Sequence, residues 1–566
     1  MAASAGLPGP HLLSQTGTAG VATAPLPRFV DVAAKAGVSA RTVLQGDPTK
    51  DFLLSTTGGG VALIDYDNDD WLDIFVLNGG SLHGFPEGQE PTNHLYRNNR
   101  DGTFTDVTLK AGLTHHGWSQ GVCVGDYDND GFLDLFVTQY GQNLLYHNNR
   151  DGTFTDVTRQ AGLVAPQDLW NSGAAFLDYN RDGHLDLFVS HYVGYKYGLT
   201  LYGNHPDLEG SRSPVLYGVA GLEGSRNTLY RNNSDGTFTD VSEQAGILKT
   251  LPTYGFTPLV ADFDNDGWPD IYVADDSTPS LLFHNNHDGT FSEIALLAGV
   301  AFDANGRTQA GMGVDAGDYD ADGRFDIFKT NFSDEPPTLY HNDGHSFFTD
   351  VTAQAGFAGA VQNVKWGTSF LDFDNDGYLD LVIVTGPIYP PGISRSHPLT
   401  SENGRNLLFR NLRNGRFEDI SAEAGAAFAE SRCGRGLAVG DLFHTGRLDL
   451  VVNNINDRPS LLRNEVPSPN SWLLVKLVGA QTNKSAIGCR VMVSAASLRQ
   501  MQEVRSGGSF CSQNDLRLHF GLGREVQRVR VEIHWLSGST EILERVPANR
   551  SVTIEEGKGI TNEESW

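Results

Sequence analysis

Apolar residues in this chain fall in short runs, and the runs recur around acidic stretches. Gly121-Val-Cys-Val-Gly and Leu135-Phe-Val flank Asp126-Tyr-Asp-Asn-Asp-Gly-Phe-Leu-Asp134. Comparable stretches begin at Asp65, Asp178, Asp262, Asp318, Asp372 and, in damaged form, Asp441, followed by Ile74-Phe-Val, Leu187-Phe-Val, Ile271-Tyr-Val, Ile327-Phe-Lys, Leu381-Val-Ile and Leu450-Val-Val. Runs this short, rich in β-branched and aromatic residues and bounded by Asp, Asn and Gly, predict strands. A second turn follows each pair, as in Leu145-Tyr-His-Asn-Asn-Arg-Asp-Gly-Thr-Phe-Thr-Asp-Val, where Asp-Gly supplies the positive φ of a tight hairpin. Each repeat thus predicts about four strands. Seven repeats spaced roughly 50 to 85 residues apart predict an all-β chain, a seven-bladed β-propeller with acidic hairpin loops.

The ends of the repeats predict ring closure. Phe-Thr-Asp-Val-Thr-x-x-Ala-Gly closes the first two repeats but is missing after Leu461-Leu-Arg-Asn, while Phe29-Val-Asp-Val-Ala-Ala-Lys-Ala-Gly37 stands alone near the N-terminus. Residues 28–37 are therefore expected to supply the outer strand of the last blade, which removes the free edges. Residues 1–27, rich in Ala, Gly, Pro and Ser and without a basic start before an apolar core, read as a flexible mature N-terminal segment. The propeller is assigned to 28–465. From Pro467 the pattern changes to alternating strands with glycine turns (Asn470-Ser-Trp-Leu-Leu-Val-Lys-Leu, Ala486-Ile-Gly-Cys-Arg-Val, Val531-Glu-Ile-His-Trp-Leu), so 466–557 predicts a small β-sandwich and 558–566 a C-terminal tail.

The acidic loops carry the chemistry. Carboxylates at positions 1, 3, 5 and 9 with glycine at 6 would repel one another without a hard cation among them, and short oxygen-rich loops select Ca²⁺. The spacing matches the first half of an EF-hand loop, but the distal Glu and the flanking helices are replaced by strands. The set is complete in Asp126, Asp128, Asp130 and Asp134; in Asp262, Asp264, Asp266 and Asp270; in Asp318, Asp320, Asp322 and Asp326; and in Asp372, Asp374, Asp376 and Asp380. The third loop, Asp178, Asn180, Asp182 and Asp186, keeps an oxygen at position 3 but loses a charge. The first, Asp65, Asp67, Asp69 and Asp73, has Asp70 in the glycine position, which aspartate tolerates. In the seventh, Phe443 and Thr445 displace ligands and leave Asp441 and Asp449. About six calcium ions are expected, each saturated by its own loop and holding a hairpin rather than catalysing a reaction.

Charge and cysteines sharpen this picture. A formal net charge of −28 argues against nucleic acid, and no apolar run is long enough to span a membrane. Six Ca²⁺ would offset about 12 of those charges. Loops of this kind need the calcium levels outside the cytosol, which points to a secreted or periplasmic location. Cys123, Cys433, Cys489 and Cys511 form no CxxC pair; Cys489 and Cys511 share the C-terminal domain and could pair in an oxidising compartment.

The DxDxDGxxD hairpins and LYxNNxDGTFxDVTxxAG phrases resemble FG-GAP/VCBS repeats over about residues 28–465, the calcium-binding propeller units also found in integrin α chains. The C-terminal phrases, with Glu503-Val-Arg-Ser-Gly-Gly-Ser-Phe-Cys-Ser-Gln513 and Phe520-Gly-Leu-Gly, are similar to the ASPIC/UnbV domain. The combination resembles the cartilage acidic protein family. The EGF-like module that vertebrate members add is missing here, which favours a bacterial-type relative. The resemblance implies a secreted protein.

Strand order places the acidic loops and the Asp-Gly turns on one face and the long insertions, 79–93, 190–226 and 386–405, on the other. The 190–226 insertion carries His191, Tyr192, Tyr195, Tyr197 and His205. Blade-to-blade connections bring His115, His116, Trp118, Trp170, Asn171, Tyr254, Arg307, Lys365, Trp366, Arg432 and Arg435 to the channel mouth. Converging cations and tryptophans suggest a pocket for an anionic or sugar-like ligand or a protein carboxylate. The alternative is that the tryptophans fill the mouth and the cations pair with Asp168, Asp275, Asp276 and Asp315. The expected function is a binding or adhesion-type module for a protein or glycan; the other reading is an enzyme acting on a small, possibly anionic, metabolite at the channel mouth. No GxSxG, HExxH, Walker A or dinucleotide phrase stands in a suitable context. Oligomeric state is not legible from these residues.

Overall fold

The computed structural model describes residues 28–43, 53–80, 84–166, 168–194, 202–203, 215–216, 219, 222–388, 404–495 and 498–566. Within them lie seven four-stranded antiparallel sheets between residues 29 and 464, then two four-stranded sheets in the C-terminal region, one antiparallel and one with a parallel central pair. The second blade is representative, with strands Trp118–Gly125, Asp134–Tyr140, Leu144–Asn148 and Phe154–Asp156. The innermost strands (Val61–Ile64, Trp118–Gly125, Asn171–Leu177, Gly255–Ala261, Gly311–Gly317, Lys365–Leu371, Gly434–Gly440) neighbour one another in turn, and the last touches the first. All are buried along their length, polar residues such as Gln120, Asn171, Lys365 and Arg435 included. The sheets close into a propeller.

The last sheet takes its outer strand from the N-terminus. Phe29–Asp31 pairs antiparallel with Ser460–Asn464, Phe29 opposite Asn464. The Val-x-x-x-Ala-Gly phrase that follows an outer strand folds as one helical turn ended by a left-handed glycine, such as Gly37 at φ 87° and Gly299 at φ 86°. A Cβ on either would stand 2.6 Å from the next blade's carbonyl, Phe104 O or Phe348 O. Glycine is needed there for conformation and for space.

One asparagine per repeat latches neighbouring blades. Asn148 Nδ2 donates to Tyr66 O in the preceding acidic loop at 2.8 Å, Asn232 to Tyr127 O at 2.8 Å, Asn285 to Tyr179 O at 2.9 Å and Asn342 to Phe263 O at 2.8 Å. Asn411 and Asn464 continue the series to Tyr319 O and Phe373 O, and Asn98 closes it by donating to Leu442 O at 3.0 Å. These buried amides find partners only when the blades are in register.

The C-terminal region is a sandwich of two sheets. One orders Leu518–Arg524, Asn470–Val478, Arg550–Glu555 and Gly559–Glu564; the other orders Leu498–Glu503, Arg490–Ala495, Arg528–His534 and Thr540–Pro547. Buried and half-buried residues alternate along Arg490–Ala495, so Val491 and Val493 face the shared core. Residues 558–566 depart from the expected tail: Gly559–Glu564 pairs with Arg550–Glu555 as an edge strand. The possible Cys489–Cys511 bridge is not formed. Cys489 lies in the sandwich core, and Cys511 among the tryptophans of the propeller channel.

The sandwich docks on the acidic-loop face. Lys476 Nζ lies 2.7 Å from Asp70 Oδ1, and Arg490 Nη2 2.5 Å from Asp262 Oδ2. Arg181 Nε donates to Leu536 O at 2.7 Å, and Lys484 N donates to Asn129 Oδ1 at 2.8 Å. Among the described residues, no helix is long and apolar enough to cross a membrane.

Candidate functional site

Each acidic loop is built by its own first aspartate. Asp126 Oδ1 accepts the N–H of Asp130 at 2.9 Å, and Oδ2 that of Gly131 at 2.7 Å. The same pair of bonds forms at Asp65, Asp178, Asp262, Asp318, Asp372 and Asp441. The ninth residue anchors the loop to the third strand, as where Asp134 Oδ1 accepts Asn148 N at 2.8 Å. This geometry gathers several carboxylates with little water. Burial pushes Asp126 and Asp318 up to about 8, and Asp134, Asp178 and Asp326 to about 7. Asp65, Asp270 and Asp374 rise to about 6 for the same first reason.

Orphaned oxygens complete the picture. Asp67 Oδ1, Asp264 Oδ1, Asp326 Oδ2 and Asp374 Oδ1 are buried without a hydrogen-bond partner. A buried carboxylate oxygen without a donor is costly, and a cation beside it removes the cost. Several groups of three such ligands lie close enough together to share a metal ion, among them Asp65, Asp67 and Asp73, and Asp126, Asp128 and Asp130. The donor set of hard oxygens fits Ca²⁺.

The sequence reading passed over one member of these clusters, the residue before the latch asparagine. In successive blades it is Arg97, His147, Arg231, His284, His341, Arg410 and Arg463. Arg97 Nε donates to Asp67 Oδ2 at 2.9 Å, His147 Nδ1 lies 3.2 Å from Asp128 Oδ2, and Arg410 Nη2 lies 3.6 Å from Asp374 Oδ2. Even in the degraded seventh loop Arg463 stacks over Phe443, the residue in position 3. The repeat phrase held the signal: between Tyr, Phe or Leu and the latch asparagine the middle residue is always His or Arg.

The channel differs from its expected form. Residues 505–516, the loop between two sandwich strands, enter it from the acidic-loop face and hydrogen-bond to the inner strands. Leu63 N donates to Gln513 O at 3.0 Å, Val122 N to Cys511 O at 3.1 Å and Val314 N to Ser509 O at 2.6 Å, while Asp515 N donates to Val439 O at 3.1 Å. A Cβ on Gly60 would stand 2.0 Å from Cys511 O, and one on Gly313 2.6 Å from Ser509 O, so these inner-strand glycines make room for the plug. Phe510 at its tip is wholly buried, with ring centroids 4.9 Å from Trp366 and 5.5 Å from Phe256.

The residues expected at the channel mouth take up the following places. Trp118, Trp170 and Trp366 are buried in one cluster with Phe510. Arg435 is fully buried over Trp366, 3.9 Å from the ring centre, and donates to Thr56 O, Gly434 O and Pro387 O. Lys365 is also buried; Nζ donates to Phe332 O at 2.9 Å and Asn363 O at 2.8 Å, and burial pushes the ammonium down to about 7. Asn171 Nδ2 is spent on Gln139 O and Gly141 O, and His191 is buried with Nε2 2.8 Å from Thr228 Oγ1. Arg432 pairs with Asp457 at 2.7 Å, Glu430 at 2.8 Å and Asp31 at 3.4 Å, locking the N-terminal strand. Tyr254 is half-buried and donates to Leu222 O at 2.9 Å. His116 and Arg307 remain exposed on the insertion-bearing face. Tyr195, Tyr197 and His205 lie outside the described residues.

With acidic hairpins repeated around a ring and a sandwich plugged into it, the chain matches known families in two places. The FG-GAP-like repeat family matches residues 65–137, 126–189, 216–273 and 262–329, and the ASPIC and UnbV family matches 479–561. This chain joins FG-GAP repeats to an ASPIC/UnbV domain. It is homologous to cartilage acidic protein 1, with 26% identity over 309 residues of the Homo sapiens protein (53% of this chain and 43% of that one). The Xenopus tropicalis protein is 26% identical over 310 residues, 53% of this chain and 44% of that one. The chain thus covers less than half the length of these relatives. Among solved structures, a lectin from Burkholderia pseudomallei superposes with a TM-score of 0.43 at 8% identity, covering 70% of this chain and 93% of its own. An Agrocybe aegerita lectin gives 0.38 at 16%, covering 66% and 84%. The propeller assignment for this FG-GAP-repeat chain rests on its own sheet topology.

Proposed function

We propose that this chain is an extracytoplasmic, calcium-stabilised binding module that recognises a protein or glycan with the face opposite its acidic loops. The observation that carries the reading is the division of surfaces. The sandwich occupies the acidic-loop face, residues 505–516 fill the channel, and His116 and Arg307 stay exposed opposite. A rigid scaffold presenting variable loops on its one uncovered face is the usual design of a recognition protein. Six loops, ligated as read from the sequence, hold the scaffold; their calcium demand supports a secreted or periplasmic setting.

Two measurements test this. Calorimetry with and without EDTA should show a markedly lower melting temperature in chelator; an unchanged transition would remove calcium from the account. Glycan and extracellular-protein arrays should then be probed with the native chain and with His116→Ala/Arg307→Ala. Binding that weakens in the variant at unchanged stability supports recognition by this face. Binding indifferent to the variant, or turnover of a small molecule, would overturn it.

A further inference from the structure

A cavity of about 120 Å³ lies where the sandwich meets the first and second acidic loops. Its walls are apolar: Leu63, Ile64 and Leu72 of the first blade, Leu133 of the second, and Leu477 and Leu516 of the C-terminal region. Leu133 and Leu516 stay half-buried at the domain boundary, as a gap beside them requires. Asn68 and Gly131, both exposed and joined by a 2.8 Å hydrogen bond from Asn68 Nδ2 to Gly131 O, stand at its edge, so the cavity borders solvent between the two loops. An apolar cavity of about 150 Å³ holds the six carbons of benzene; this one takes about five.

Three cations border the same cavity. Lys476 Nζ is held by Asp70 at 2.7 Å. Arg517 gives Nε to Asp515 at 2.9 Å and Nη1 to Asp70 O at 3.0 Å, while Nη2 is buried without a partner. Among the described residues, the Lys484 ammonium has neither an ion pair nor a hydrogen bond; only its backbone N–H is engaged, by Asn129 Oδ1. Ser485 Oγ accepts Asp126 N at 2.9 Å, which leaves its O–H to donate. The acids at the cavity do not answer these donors. Asp515 is spent on Arg517, and Asp65 and Asp126 accept backbone N–H groups of their own loops with both oxygens. Unanswered cationic donors beside apolar walls are the two halves of a site for an amphipathic anion.

We propose that this domain junction binds a small monocarboxylate with an apolar tail. The carboxylate sits at Lys484, with Ser485 and Arg517 as further donors, and a tail of about five carbons lies against Leu63, Leu133, Leu477 and Leu516. Both domains contribute walls, so an occupied cavity ties the sandwich more firmly to the propeller. The site is separate from the metal positions of the loops and from the insertion-bearing face.

Titration calorimetry of the calcium-saturated full-length chain with straight-chain monocarboxylates from acetate to octanoate tests this. Affinity should rise about fourfold per methylene up to pentanoate or hexanoate and fall at octanoate, which overfills the cavity. The melting temperature should rise with pentanoate concentration. Lys484→Met, at a half-buried side chain whose charge the fold does not use, should weaken pentanoate about tenfold or more and leave pentan-1-ol unchanged. Leu516→Phe fills the cavity and should abolish binding of both, with folding checked by circular dichroism; if that variant does not fold, Lys484→Met carries the test. Affinity that is flat across chain lengths, equal for pentanoate and pentan-1-ol, or indifferent to Lys484→Met would overturn the proposal, as would the absence of binding by every acid of the series.

Discussion

Replacing Phe510 by alanine should loosen the sandwich from the propeller. The side chain is wholly buried at the plug tip, in contact distance of Trp366 and Phe256. Truncating a core phenylalanine costs about 3–5 kcal/mol, and loss of two aromatic contacts places this one towards the upper end. Unfolding entropy is about 2.1 cal/mol/K per residue, on the order of 1 kcal/mol/K for a chain of this length, so a loss of about 4 kcal/mol lowers a single cooperative transition by about 4 °C. Differential scanning calorimetry measures the shift. Tryptophan emission gives a second readout, because water entering beside Trp366 moves it to the red. Leu109→Ala, at a side chain 84% exposed, is the control and should change neither. A Phe510→Ala variant with its melting temperature within 1 °C of the parent and unshifted emission would mean that the plug does not fasten the channel in solution.

Other consequences are equally direct. Asn342→Ala removes a latch and leaves Phe263 O and Phe325 O without their donor, which should cost about 1–3 kcal/mol in urea melts; a change under 0.5 kcal/mol would deny the latch a role. Glu556 concerns pH. Burial alone would raise its carboxyl, but hydrogen bonds from Ser537 and the backbone of Thr482, Ala480 and Gln481 outweigh it and hold the group at about 2. Its folded value lies below the ordinary 4.5, so its stabilisation is present above pH 4.5 and fades as pH falls towards 2. Glu556→Gln should therefore be less stable than the parent at pH 6 and close the gap below pH 3; a pH-independent gap would show that charge is not what those donors need. Asp70→Gly restores the usual left-handed glycine (Asp70 has φ 65°) but deletes the half-exposed pair with Lys476, so the net change should stay within about 1 kcal/mol by thermal melting. A larger loss would make that pair a principal tie between the domains.

The sheet count was written in the sequence because each repeat punctuates itself: Asp-Gly fixes one turn, and the acidic loop fixes another on the same face. The closing strand was legible for a related reason, since Phe29-Val-Asp repeats a phrase that the seventh blade lacks. The plug was not, although its imprint was present. Gly121, Gly313 and Gly436 sit inside inner strands and Gly60 just before one, where glycine weakens a strand unless another backbone approaches closely. Nothing local to Phe510 says which cavity it enters, because the contact joins residues more than a hundred positions apart. The channel-mouth residues turn on the same point. Trp118, Trp170, Trp366, Lys365 and Arg435 do converge, as the connections predicted, but a segment from another domain already fills the space between them.

The seventh loop shows what becomes of an acidic hairpin once the sandwich packs over it. It keeps the backbone of an acidic hairpin, with Asp441 accepting from Thr445 N at 3.0 Å and Gly446 N at 2.7 Å, although Phe443 and Thr445 have replaced ligands. What stands over it is protein. His444 is stacked between Trp71 and Trp566, with ring centroids 3.6 and 4.0 Å away, and a Cβ on Gly446 would stand 2.0 Å from Trp472 Nε1. His519 Nε2 also lies 3.1 Å from Gly446 O. Aromatic packing of this kind holds a hairpin without needing charge, so nothing at this position keeps the acids that a cation would require. Asp70, which departs from glycine to reach Lys476, is a smaller case of the same exchange. The sandwich touches other acidic loops as well, through Lys476 on Asp70 and Arg490 on Asp262, but only at the seventh does aromatic packing stand where the other loops keep their carboxylates.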